Sequence, residues 1–143
     1  MRRVWVMLAG ALVVIGFAAG PAGAKTSKPV PVDGKVDVKG TKDISSKSAA
    51  TIEIEADDYY FGPTFVKVKP GEKVTIELEN EGNASHTFTS DSLGVDEQVA
   101  AGKKAKFTVT VPSDGTAFEF HCSFHEDMGM QGAFFTKKGG TAQ

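Results

Sequence analysis

Cysteine is nearly absent from this chain: Cys122 is the only one among 143 residues. A lone thiol closes no internal disulfide, and it leaves a dinuclear copper–thiolate centre, which uses two cysteines, one short. Cationic residues are also scarce where a folded domain begins. Overall, 16 Lys and Arg face 18 Asp and Glu for a net charge of −2. From residue 51 onward, however, eight basic side chains face fifteen acidic ones, a net of −7 for that part. Such a surface lacks the Lys and Arg that neutralise phosphates, which excludes a nucleic-acid binder. It suits solubility or a basic protein partner. Apolar spacing at helical period is missing too, and no stretch carries the caps of a long helix.

The one long apolar run, Val4 to Ala19, follows Arg2-Arg3 and precedes Gly20-Pro21-Ala22-Gly23-Ala24. A basic start, a short apolar stretch and an Ala-x-Ala ending predict a secretory signal peptide over 1–24. The competing reading is an uncleaved membrane anchor, for which the run is slightly short of the ~17–25 residues a span needs. No cysteine sits where a lipid anchor would need one, and the flanks of Arg2-Arg3 do not fit a twin-arginine signal. An odd thiol in an exported protein points to intermolecular pairing, reactivity or a metal. Residues 25–50 are rich in Lys, Ser, Pro and Gly, with isolated valines and no apolar period. They predict a flexible linker. One domain is expected over 51–138, with 139–143 as a disordered tail.

The domain reads as β throughout. Thr51–Glu55, Val74–Glu79 and Phe107–Val111 alternate strictly between apolar and polar side chains, the period of half-buried strands. Phe65–Val68 and shorter runs at Ser85–Thr89, Ala117–Cys122 and Gly132–Thr136 add further strands, with Asp96–Ala101 expected as a turn. Gly62-Pro63, Pro70-Gly71, Gly82-Asn83 and Asp114-Gly115 punctuate them. Some seven or eight short strands with regular turns predict an all-β sandwich or barrel.

Strand parity then sorts the donor side chains. Phe118, Phe120 and Cys122 share one face, and Glu119 and His121 share the other. The phenylalanines mark the core face, so Cys122 points inward and His121 outward. His86 shares a face with Phe88, opposite Thr87 and Thr89. Singly, a buried Cys, His or Met is more often a packing residue than a ligand. Here Cys122, His125, Met128 and Met130 fall in one loop leaving a core strand, and that coincidence outweighs the single readings. A structural zinc site wants four Cys or His donors, and only three are placed. A Cys–His nucleophilic pair needs an oxyanion hole that nothing else suggests. Thiolate, two imidazoles and a thioether form the soft set of a blue-copper site, with Cys and both His in the plane and a Met sulfur as long axial ligand.

These residues resemble the cupredoxins of the plastocyanin/amicyanin type over roughly Ile52 to Lys137. The matching features are His86 after a main strand, the Cys-x2-His of Cys122 and His125, and Met130 followed by Gln131-Gly132. The Phe65–Val74 strand–turn–strand upstream matches as well. The resemblance implies a Greek-key β-sandwich holding one copper that cycles between Cu(I) and Cu(II). Its ligands would be His86, Cys122, His125 and Met130, and Met130 is preferred to Met128 because the family's Met is followed by one residue and then Gly, as in Met130-Gln131-Gly132. It further implies an electron carrier rather than an enzyme, meeting redox partner proteins through the His125 edge; a monomer is expected. Three positions depart from the family: Thr87 stands for a bracing Asn, Phe124 for a Pro and His121 for a surface Tyr. A copper carrier is the alternative, although carriers tend toward Met- and His-rich sites without Cys. Contact with a membrane is expected only if the N-terminal segment stays uncleaved. The signal places the protein outside the cytoplasm: periplasmic, secreted or at the cell surface.

Overall fold

The computed structural model describes residue 32 and residues 34–136. The expected signal peptide, the start of the linker and the tail lie outside the described residues.

Among the described residues, ten strands form two sheets. They are β1 (Thr41–Asp43), β2 (Thr51–Asp57), β3 (Tyr60–Gly62), β4 (Phe65–Lys67), β5 (Lys73–Asn80), β6 (His86–Ser90), β7 (Val95–Val99), β8 (Lys104–Thr110), β9 (Phe118–His121) and β10 (Gln131–Phe135). One sheet runs β1-β4-β10-β9-β6-β7 and the other β3-β2-β5-β8. This is the expected all-β sandwich, with ten strands rather than seven or eight. The described residues include no α-helix, only short 3-10 turns at Asp91–Leu93 and Glu126–Met128.

Alternation builds the core. Ile52, Ile54 and Ala56 of β2 and Val74, Ile76 and Leu78 of β5 turn inward, while Thr51, Glu53 and the intervening β5 residues turn toward solvent. The facing sheet answers with aromatics. Phe88 and Phe120 stack at 4.5 Å between centroids and Phe118 and Phe134 at 5.0 Å, while Phe61 of β3 reaches across from the β2–β5 sheet to meet Phe120 edge-on at 5.1 Å. Offset stacks and edge contacts are the geometries the ring quadrupole favours. Gly132 is needed here, because a side chain would collide with the Phe120 ring and the Thr64 carbonyl.

Two expectations are corrected. The described part of the 25–50 linker is bound to the sandwich. β1 pairs in parallel with β4, Ile44 is buried, and the Ile44 N–H donates to the Lys67 carbonyl at 2.9 Å. The reason lies in β10, all five of whose residues are buried. Its second face needs a cover, and Val32 and Val36 supply one over Phe65, Ala133 and Phe135. Next, the turn expected at Asp96–Ala101 is largely strand. β7 pairs with β6 as a sheet edge, with Asp96, Glu97 and Gln98 all exposed, so no apolar alternation marks it. β3, the antiparallel partner of β2, is only three residues long, too short to show an alternation in the sequence.

Candidate metal centre

Two core strands deliver the donors to one end of the sandwich. His86 opens β6, and Cys122 directly follows β9. The chain then turns tightly. The His125 N–H donates to the Cys122 carbonyl at 3.0 Å, the Cys122 N–H to the Met130 carbonyl at 3.0 Å, and the Met130 N–H to the His125 carbonyl at 3.3 Å. Gly129 closes the loop at φ 98°, a left-handed conformation suited to glycine. Cys122, His125 and Met130 are thereby held in one hydrogen-bonded turn.

The donor atoms converge. His86 Nδ1 and His125 Nδ1 stand 3.2 Å apart, with Cys122 Sγ 3.4 Å from His125 Nδ1 and 3.8 Å from His86 Nδ1. A triangle with those edges has its centre about 2.0 Å from every corner, within the ~2.0–2.3 Å of nitrogen and sulfur bonds to a small divalent metal. The three residues therefore fit one trigonally held ion, and their softness fits copper. They are also the one His/Cys/Asp/Glu cluster among the described residues that could hold a metal. Met130 is fully buried at 0% exposure, whereas Met128 is 45% exposed on the loop surface.

The surroundings brace this triangle. The Thr87 N–H points at Cys122 Sγ from 3.4 Å. Its hydroxyl accepts the Ser123 N–H at 2.8 Å and the Thr89 hydroxyl at 2.9 Å. Thr87 thus ties β6 to the Cys122 loop, the bracing expected of an Asn. Tyr59 lies against His125, with ring centroids 4.4 Å apart, and meets His86 edge-on at 6.3 Å. Phe124, 55% exposed, flanks His125 on the outer side with its ring edge-on at 6.2 Å. Asp58 and Tyr59 carry no motif that marks them in the sequence.

His121 sits apart from the three donors. It lies in β9, opposite Gln131 and Thr89, and its Nε2 is 4.0 Å from the Glu126 carboxylate. His121→Ala should therefore take up copper with an unchanged visible spectrum. Loss of copper in that variant would mean that the ring reaches the metal.

Burial holds the pKa of His86 below its ordinary 6.5, against the opposing pull of the Asp58 hydrogen bond. The unfolded chain then binds protons more readily than the folded one. The stability carried by the neutral imidazole is complete above about pH 6.5 and is lost as the pH falls through the lower folded value. Copper binding also needs unprotonated imidazoles. Between neutral pH and about pH 5, both the denaturation midpoint of the metal-free protein and its copper affinity should fall. Chemical denaturation and copper titration across that range check this, and flat profiles would contradict it.

A two-sheet β-sandwich with a Cys/His/His cluster at one end defines a single-site metalloprotein. The chain belongs to the cupredoxin-like domain family, whose model matches residues 11–134. It is 34% identical over 82 residues to the copper-resistant cuproprotein CopI of Pseudomonas aeruginosa. That match covers 57% of this chain and 42% of the relative, so the chain spans under half the length of that protein. Among solved structures, auracyanin B superposes with a TM-score of 0.54 at 17% identity, covering 64% of this chain and 91% of that one. Reduced auracyanin from Roseiflexus castenholzii gives 0.54 at 16%, covering 64% and 99%. Auracyanin A of Chloroflexus aurantiacus, a "blue" copper protein, gives 0.51 at 17%, covering 61% and 98%. These three likenesses establish a shared fold.

Proposed function

We propose that the protein is an exported blue-copper electron carrier that passes single electrons between partner proteins. The observation that carries this reading is the triangle of two imidazole nitrogens and one thiolate sulfur, sized for one ion, with the buried Met130 fixed in the same loop. Bound there, copper would supply a one-electron Cu(II)/Cu(I) couple. The chain's own residues do the rest. Cys122 and His86 are fully buried, and the Thr87–Ser123 bond holds the two ligand segments in register. A packed cage that keeps its shape in both oxidation states lowers the rearrangement an electron must wait for. His125 is the partly exposed ligand, flanked by the exposed Phe124 and Met128, and so gives the electron its way out. The donor set favours a carrier over an enzyme because it is closed by protein ligands, leaving no position for a substrate. The signal-like start supports a place outside the cytoplasm, and the domain is read as a monomer.

Adding Cu(II) to the purified protein tests this. One equivalent should give intense visible charge-transfer absorption and reversible voltammetry. A colourless or electrochemically silent copper complex would overturn it. The similarity to a copper-resistant cuproprotein favours a second reading, copper holding or delivery. Ready surrender of copper to a chelator, together with slow electron self-exchange, would select that one.

A further inference from the structure

We infer that Asp58 is a positioning residue for the metal site: its carboxylate fixes His86 with Nδ1 toward Cys122 and makes that nitrogen a stronger donor, favouring oxidised copper. This rests on the copper reading above and concerns this chain's own β2–β3 turn.

His86 Nε2 lies 3.0 Å from Asp58 Oδ1. An ionised carboxylate only accepts hydrogen bonds, so the ring proton must sit on Nε2. That tautomer leaves the Nδ1 lone pair bare, and Nδ1 is the atom facing Cys122 Sγ and His125. A metal-bound imidazole whose other N–H donates to a carboxylate is held in one orientation and is more basic at the ligating nitrogen.

The carboxylate is itself fixed. The Asn83 N–H donates to Asp58 Oδ2 at 3.0 Å, with the Asn83 side-chain amide at 3.5 Å, and the Ala84 N–H donates to Oδ1 at 3.4 Å. These donors hold Asp58 ionised, with the Asn83 backbone contributing most to a pKa below the ordinary 3.8. A separate feature protects the contact. A Cβ on Gly82 would fall 2.5 Å from Asp58 Oδ1 and 2.9 Å from His86 Nε2, so the absence of a side chain there leaves room for the pair. A fixed negative charge one imidazole away stabilises Cu(II) more than Cu(I). Removing that charge should raise the reduction potential.

Two variants and two readouts test this. Asp58→Asn keeps an acceptor oxygen but loses the charge. It should retain the Nε2–H tautomer of His86 in the metal-free protein, read by nitrogen-15 NMR, and its copper form should have a higher potential. Asp58→Ala should lose the tautomer preference and bind Cu(II) about 10–100-fold more weakly, with Cu(I) affinity less affected. Gly82→Ala, which wedges the pair apart, should shift the potential upward like Asp58→Asn. A merely structural Asp58 would move folding stability but neither tautomer nor potential. Unchanged tautomer in Asp58→Ala and unchanged potential in Asp58→Asn would overturn the inference. Failure of the parent protein to form a coloured copper complex would overturn the copper reading instead, while the tautomer result still decides how His86 is held.

Discussion

Cys122→Ser should give a folded sandwich that has lost all blue colour and all electron transfer. Cys122 is fully buried between the start of β6 and the 123–130 loop, 3.4 Å and 3.8 Å from the two imidazole nitrogens. Intense visible absorption in such a site comes from charge transfer between thiolate sulfur and copper, and no hydroxyl provides it. Serine fills nearly the same volume, and its oxygen finds the Thr87 N–H that now points at the sulfur. The buried polar atom is therefore partnered, so the metal-free variant should stay within about 1–2 kcal/mol of the parent stability. Visible spectroscopy with excess Cu(II), alongside thermal melting of the metal-free form, checks both halves. A blue Cys122→Ser protein would remove Cys122 from the site. A variant that does not fold would leave the question to His86→Ala and His125→Ala, which should each damage the same absorption.

The donors were legible because two independent signals coincided. Period-2 parity along Phe118–Cys122 and His86–Phe88 put one thiol and one imidazole on core faces, and Cys-x2-His-x4-Met confined two more donors, His125 and Met130, to the same turn as Cys122. The long alternating strands β2, β5 and β8 were legible for the same reason. What escaped was structure whose cause lies far away in the chain. Val32, Val36 and Ile44 look like stray apolar residues in a polar tract, yet they cover Phe65, Ala133 and Phe135 or fill the core beside Lys67. The adjacent pair Phe134-Phe135 did carry a hint, since neighbouring apolar residues in a strand need both faces buried. It could not say what supplied the cover. Asp58 and Tyr59 were invisible because they reach His86 and His125 across 28 and 66 positions of chain, with nothing in their own spacing to mark them. β7 stayed hidden because an edge strand facing water with Asp96, Glu97 and Gln98 carries no apolar alternation.

The axial position yields the second large effect. Met128 and Met130 stand three and five residues after His125 and are chemically identical, so their surroundings must distinguish them. Met130 is fully buried within the core cluster that contains Cys122, and its backbone bonds to both Cys122 and His125. Met128 ends the Glu126–Met128 turn with 45% of its surface exposed. A weak axial sulfur is a main control on the potential of a Cys/His2 copper site. Met130→Gln replaces it with a harder oxygen donor that favours Cu(II), while the backbone bonds that shape the loop persist. That variant should keep a copper–thiolate chromophore with altered band intensities and a markedly lower potential. Met128→Gln exchanges one exposed side chain for another, and should leave the spectrum and potential near those of the parent. Voltammetry and visible spectra of the two proteins decide between them. A low potential in Met128→Gln with a parent-like Met130→Gln would transfer the axial role to Met128, and would require the 126–130 turn to invert so that Met128 leaves the surface and Met130 leaves the core.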